Sequence, residues 1–189
     1  MDRYSLPTNV TINGNVCEFK TDYRDILKIF EAFNDPDLLD SEKLIVGLKL
    51  FYKDTSYETD IELATKTMMA FIEMSTEEEV EKQSNMPTNS KPLYDWKKDF
   101  NIIVAPINRI MGKDVRGLEY LHWWTFLSAF MEIGECTFST YVSIRDKLNR
   151  GKKLEKYEEK LLKEHREDII LKPKVDSVTQ SLLDEIMGV

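Results

Sequence analysis

The sequence contains little of what several classes of protein require. It has only two cysteines among 189 residues, Cys17 and Cys136, which excludes a disulfide scaffold and a four-cysteine zinc site. Seven glycines and six prolines exclude collagen-like and low-complexity chains. No uncharged apolar run approaches the roughly 18 residues of a membrane span, and the first residues lack the apolar stretch of a signal peptide. We therefore expect the protein to stay in the compartment where it is made.

The chain does contain enough apolar material for a core, together with an excess of acidic charge. Hydrophobic residues make up 42% of a chain whose length suits one domain or two small ones. The formal net charge of −8 argues against a protein that coats duplex nucleic acid. The charge is uneven, because residues 1–144 hold 15 Lys and Arg against 24 Asp and Glu, whereas residues 145–174 hold 11 against 7.

The pattern of apolar residues predicts a mainly α-helical fold, a bundle of about seven to eight helices with a small N-terminal β-hairpin. The Asn13-Gly14 pair predicts the hairpin over about residues 9–20, because both turn residues tolerate positive φ. We expect this hairpin to lie on the helices, with pairing to another chain as the alternative. Helical spacing predicts the next helices, with Thr21 and Ser41 as the caps of the first two.

Four further helices are predicted after residue 92. An apolar stripe that continues through Pro106 predicts one kinked helix, and its members are Trp96, Phe100, Ile103, Ile107 and Ile110. Residues 117–133 are apolar on most sides, which predicts a buried central helix. A shorter helix is predicted at 137–149 and a long charged one at about 154–170.

Residues 75–92 lose this periodicity and combine four glutamates with two prolines, which predicts an acidic linker or a long loop. On that prediction, residues 1–74 form an N-terminal part with the hairpin and several helices. Residues 93–172 form a C-terminal helical part, and residues 173–189 form a short amphipathic tail. The alternative of a single domain over 1–172, with a surface loop inside it, stays open.

The residues that most often carry chemistry occur singly in this chain. His122 has no second ligand at metal-binding spacing, so a partly buried histidine that is hydrogen-bonded to a carbonyl is favoured over a catalytic one. The sequence has no phosphate-loop, dinucleotide-binding, nucleophile-elbow or zinc-protease motif. We expect no catalytic residue, no metal site and no cofactor.

Two features could contribute an interaction surface. Met69 falls off the inward stripe of its predicted helix, although filling the core is the commoner role of methionine. The basic run 145–153 could bind phosphate, but it lacks interleaved aromatic residues, which favours a solvated face. The basic residues of this run are Arg145, Lys147, Arg150, Lys152 and Lys153.

Several motifs resemble a family of small phage tail proteins. The segment Leu121-His122-Trp123-Trp124-Thr125-Phe126-Leu127 follows an Asp-Trp-x-x-Asp element at 95–99 and precedes the pair Ile144-Arg145. Together with the hairpin, this arrangement is similar to the tail assembly chaperones of siphophages and of prophages in Gram-positive bacteria, which are encoded just before the tape measure protein. The resemblance covers roughly residues 4–150.

The resemblance implies a non-enzymatic assembly factor in the cytoplasm of the infected or lysogenic bacterial host. Several copies would bind the tape measure protein, keep it soluble and recruit tail tube subunits. The motif residues would then be structural, and they are Trp96, Asp99, His122, Trp123, Trp124 and Phe126. The alternative function is a nucleic-acid-binding phage regulator that uses the basic run 145–153.

Overall fold

The structure is a computed structural model that describes residues 5–84 and 91–171. Helices dominate these residues, and one two-stranded antiparallel sheet precedes them, which confirms the predicted fold class. The chain divides into two units. Among the described residues, the first unit contains 5–84 and 120–124, and the second contains 91–119 and 125–171. The predicted tail over 173–189 lies outside the described residues.

The hairpin consists of strands β1 (Asn9–Ile12) and β2 (Asn15–Glu18), with Ile12 opposite Asn15. The two turn residues between them have φ values of 48° and 82°, as the Asn-Gly pair predicted. The residue after β2, Phe19, forms an isolated bridge with Tyr52. The hairpin therefore lies against the helical part of its own unit, as expected.

Four α-helices follow in the first unit. They are α1 (Tyr23–Phe33), α2 (Asp40–Phe51), α3 (Ile61–Glu73) and α4 (Glu77–Ser84), and a 3-10 turn at Ser56–Thr59 precedes α3. Helices α1 and α2 approach each other closely. A Cβ added at Gly47 would lie 2.7 Å from Cε1 of Phe33, so a larger residue there would force the ring to move.

Both predicted caps in this unit are wrong by one or two residues. Asp22 caps α1, and its carboxylate accepts a hydrogen bond of 2.9 Å from the backbone N–H of Arg24. The hydroxyl of Thr21 is instead 2.7 Å from that of Tyr120. Helix α2 starts after Leu39, whose N–H donates to the Glu42 carboxylate at 2.8 Å, so the acidic residue of the first turn supplies the cap.

A helix was not predicted within 75–92, yet α4 occupies 77–84. Its start is stabilised by a reciprocal pair of bonds. The Thr76 N–H donates to the Glu79 carboxylate at 2.7 Å, and the Glu79 N–H donates to the Thr76 hydroxyl at 3.3 Å. Such a capping box can start a charged surface helix that has no apolar stripe, and apolar periodicity does not predict a helix of this kind.

The remaining helices are α5 (Trp96–Met111), α6 (Trp123–Met131), α7 (Thr137–Asn149), α8 (Lys156–Glu164) and α9 (Arg166–Ile169), with a 3-10 turn at Val115–Gly117. Helix α5 continues through Pro106, and α7 has the predicted bounds. Helix α6 begins later than predicted, and its first two residues belong to the first unit. The long charged helix is divided at His165. No helix within the described ranges is long and apolar enough to cross a membrane.

Candidate functional site

The segment before α6 is held by the backbone around the start of α1. The Tyr23 N–H donates to the Leu121 carbonyl at 3.0 Å, and the Trp123 N–H donates to the Thr21 carbonyl at 2.7 Å. The Asp22 carboxylate also accepts from the Leu121 N–H at 3.1 Å. Burial raises the pKa of Asp22, but hydrogen bonds from Arg24 and Leu121 outweigh that effect and lower it below 3.8. An ionised carboxylate thus links two segments that lie 99 residues apart in sequence.

The two tryptophans of the motif cap the end of α3. The Trp123 indole N–H donates to the Ile72 carbonyl at 2.9 Å, and the Trp124 indole N–H donates to the Phe71 carbonyl at 2.8 Å. The last carbonyls of a helix have no partner inside the helix, so they need such donors when they are buried. Trp123 is completely buried, and Trp124 is 7% exposed. The tandem tryptophans therefore serve both as core and as a helix cap.

His122 is buried between two polar partners. Its Nδ1 accepts a hydrogen bond from the Trp124 backbone N–H at 3.1 Å, so the ring proton is assigned to Nε2, which lies 3.1 Å from the Pro7 carbonyl oxygen. This is the carbonyl bond that the sequence led us to expect. Burial lowers the pKa of His122 below 6.5, which favours the neutral ring. The imidazole joins residue 7 to the start of α6.

In the second unit, the two other motif elements meet as a buried ion pair. Arg145 Nη1 donates to Asp99 Oδ2 at 2.7 Å, and Arg145 Nη2 donates to Asp99 Oδ1 at 2.9 Å. The side chains are only 4% and 2% exposed. Asp99 Oδ2 also accepts from the Asp95 backbone N–H at 2.9 Å. The Asp-Trp-x-x-Asp element and the Ile-Arg pair are therefore parts of one cluster.

Arg145 was expected on a solvated face, and the structure places it inside. The Arg145 and Lys98 side chains donate to four successive carbonyl oxygens at the end of α9, at distances between 2.5 and 2.9 Å. The acceptors belong to Glu167, Asp168, Ile169 and Ile170. Positive charge is favourable at a helix C-terminus, where carbonyl groups are unpaired. Lys98 was missed because a single surface-type lysine gives no signal in the sequence.

The rest of the basic run is only partly available to a ligand. Lys147 Nζ lies 2.7 Å from both carboxylate oxygens of the fully buried Glu158. Burial raises the pKa of Glu158, but the hydrogen bond from Lys147 outweighs this and the net shift is downward. Arg150 forms an exposed i, i+4 pair with Asp146 at 2.8 Å. Of the five basic residues in the run, Lys152 and Lys153 remain as exposed side chains that form no ion pair with a described residue. This small number weakens the nucleic-acid alternative.

The remaining site residues are placed by packing. Trp96 and Phe126 are buried in the second unit with their ring centroids 6.1 Å apart, and the ring of Phe130 lies 4.6 Å from that of Trp96. Met69 on α3 is half-buried. Within 5–84 and 91–171, no group of three or more His, Cys, Asp or Glu side chains could hold a metal ion.

Comparison with known proteins gives a match over most of the chain. A family model described as Bacteriophage Gp15 protein matches residues 3–169. The matched range contains the hairpin, the His122-Trp123-Trp124 segment and the cluster around Asp99 and Arg145. No curated protein and no solved structure matches the chain.

Proposed function

This chain belongs to the Bacteriophage Gp15 protein family, and from that premise we propose that it is a non-enzymatic tail assembly chaperone that binds the tape measure protein. The observation that carries the proposal is the extent of the family match. Residues 3–169 include every motif through which the sequence resembles tail assembly chaperones. On this proposal the protein acts in the cytoplasm of the host bacterium, with the tail tube protein as a second partner.

The burial of the motif residues supports a structural role for them. Trp123 and Trp124 cap a helix, and Asp99 and Arg145 form an internal pair. The side-chain polar groups of these residues are occupied by the protein itself. While these groups are occupied in this way, a client would contact other side chains, on the surface.

The surface supports the proposal through a combination of charge and exposed apolar groups. The side chains of several large apolar residues are more than half exposed, namely Leu6, Val16, Leu39, Ile45, Tyr120, Met131 and Tyr157. Such groups can contact an amphipathic helical client. The net charge of −8 would keep a complex of many copies on one long client dispersed.

Co-expression with the tape measure protein of the same phage tests this proposal. We expect the soluble fraction of the tape measure protein to rise and the two proteins to co-purify through a tag on this chain. A helical protein of similar net charge, expressed at the same level, controls for a general effect of acidity. An unchanged soluble fraction together with no co-purification would contradict the proposal.

The client-binding side chains can then be located with charge substitutions at exposed apolar positions. Val16→Glu, Met131→Glu and Tyr157→Glu each place a charge on a side chain that is at least 61% exposed, so the fold should be retained. Co-purification is expected to fall for the variants that lie in the client interface. Lys152→Glu serves as a matched control, since it alters the charge at an exposed polar position.

A further inference from the structure

The last two described helices cover an apolar surface of the second unit. We define the clasp as residues 154–170, which contain α8 and α9. The surface beneath it includes Ile102 on α5 together with Tyr141 and Ile144 on α7. The clasp residues that pack there are Leu154, Leu161, Leu162 and Ile169.

The polar attachment of the clasp depends mainly on backbone atoms. Arg145 and Lys98 bind the four carbonyl oxygens at the end of α9, and carbonyl oxygens are present in any helix whatever its sequence. The ion pair between Lys147 and Glu158 is the attachment that requires a particular clasp side chain. The surface can therefore bind an amphipathic helix whose C-terminal end lies at Arg145 and Lys98. Most of these polar contacts do not depend on the sequence of that helix.

The apolar attachment of the clasp is small. Ile169 is fully buried, but the three clasp leucines are only partly buried, and most other positions in 155–168 are exposed. The clasp follows α7 through Gly151, whose φ of 63° allows the chain to turn back. Segments with few buried apolar contacts open at lower free energy than the rest of a protein. A helix with more apolar surface could thus take the place of the clasp.

We propose that the clasp is an internal competitor, and that an amphipathic helix of the client docks on the surface of Ile102, Tyr141 and Ile144 when the clasp leaves it. This inference rests on the proposed function for the identity of the client. The partner helix would carry apolar side chains eight residues apart, as Leu161 and Ile169 are. An acidic residue that can meet Lys147 would strengthen its binding.

A peptide of residues 152–171 added to the full chain tests this exchange directly. Ile169→Ala weakens the internal clasp and leaves the surface intact, so we expect this variant to bind the labelled peptide about tenfold more tightly than the wild type does. Lys163→Ala is the matched control, because its side chain lies in the same clasp but is exposed, and it should behave as the wild type. Adding Lys98→Met to Ile169→Ala should abolish the gain.

Equal peptide binding by the Ile169→Ala and Lys163→Ala chains would overturn the inference, provided that both retain the helical content of the wild type. Hydrogen exchange on the unmutated chain avoids the risk that a variant fails to fold. The amides of Ile169 and Ile170 donate to the carbonyls of His165 and Arg166, both at 2.9 Å, and should exchange faster when excess peptide displaces the clasp. A peptide labelled throughout with heavy carbon and nitrogen isotopes gives fragments that differ in mass from those of the chain. Unchanged exchange would also overturn the inference.

The co-purified complex with the tape measure protein separates this inference from the function that it rests on. Excess peptide is expected to release the client from the chain. If the client stays bound while the peptide occupies the surface, the client docks elsewhere, so the inference fails and the proposed function stands. If no client co-purifies at all, the proposed function fails first.

Discussion

In both units, side chains donate hydrogen bonds to the last carbonyl groups of a helix, but the donors are neutral in one unit and charged in the other. In the first, the neutral indoles of Trp123 and Trp124 donate to the last carbonyls of α3. In the second, the charged side chains of Arg145 and Lys98 donate to the last carbonyls of α9. An indole N–H brings one donor and a large apolar ring, whereas a guanidinium brings several donors and a charge that must be neutralised when it is buried.

This difference predicts which substitutions lower the stability of each unit. The indole cap loses one hydrogen bond at a time, so single conservative changes should cost moderate stability. The guanidinium cap also neutralises Asp99, so removing it leaves a carboxylate that is only 2% exposed without its counter-ion. The indole cap is instead sensitive to pH, because the buried His122 bound to the Trp124 backbone N–H would become charged in acid.

The largest effect is expected from Arg145→Met. It strands the Asp99 carboxylate and removes donors from carbonyls of α9, so we expect the free energy of unfolding to fall by about 3–5 kcal/mol in urea titrations. Arg150→Met is the control on the same helix end, because its ion pair with Asp146 is exposed and should cost at most about 1 kcal/mol. Equal losses for the two variants would show that burial of the pair does not matter.

A double variant, Asp99→Leu with Arg145→Met, sharpens this prediction. Replacing both charges with apolar groups removes the stranded carboxylate, so the double variant should be more stable than Arg145→Met alone. It should still be less stable than the wild type, since Arg145 also donates to the carbonyls of Asp168 and Ile169. A double variant less stable than the single one would mean that Asp99 contributes independently of Arg145.

The next largest losses of stability are expected at the two tryptophans, and the two losses should differ. Trp123→Phe keeps a ring but removes the donor to the Ile72 carbonyl, which should lower the free energy of unfolding by about 1–3 kcal/mol. Trp124→Phe should cost less, because the Phe71 carbonyl keeps a hydrogen bond of 3.2 Å from the Met74 N–H. Urea titrations of both variants measure the difference, and the reverse order would contradict the proposed capping role.

A smaller effect is expected from pH in the first unit. Burial lowers the pKa of His122 in the folded state below the 6.5 of an exposed histidine. Below pH 6.5 the unfolded chain therefore binds a proton that the folded chain does not, so stability declines as the pH falls, by about 1 kcal/mol at most between pH 7.5 and 5.5. The lowered pKa values of Asp22 and Glu158 place their effects at lower pH.

Urea midpoints at pH 7.5 and 5.5 measure this change. His122→Gln should flatten the pH dependence, although the variant is less stable overall, because glutamine does not become charged in this range. His165→Gln is the control, since it makes the same replacement at a histidine whose side chain is exposed. A wild-type slope in the His122→Gln variant would remove His122 as the cause.

The fold class, the hairpin and the bounds of α7 could be predicted because they depend on residues close in sequence. A turn needs two adjacent residues, and an amphipathic helix shows its stripe within a few turns. The continuation of α5 through Pro106 could be predicted for the same reason, since the apolar register persists on both sides of the proline.

The clusters could not be predicted, because their partners are distant in sequence. Nothing near Arg145 indicates that its carboxylate lies 46 residues earlier, at Asp99. The start of α6 at Trp123 depends on backbone pairing between the residue before it, His122, and Asp22, about 100 residues earlier. Local spacing therefore favoured a solvated basic face and a longer helix, and tertiary contacts changed both.

The smallest effect, within about 0.5 kcal/mol, is expected from Lys152→Ala with Lys153→Ala. Both side chains are exposed, and neither forms an ion pair within the part of the chain that the structure describes. They belong to the same basic run as Arg145, but Arg145 is buried. Comparing the double-lysine variant with Arg145→Met therefore tests whether burial decides the loss of stability. Thermal unfolding of the double-lysine variant and of Arg145→Met measures the two losses. A large loss in the double-lysine variant would mean that the run acts as a unit, and that the buried guanidinium is not what distinguishes its first residue.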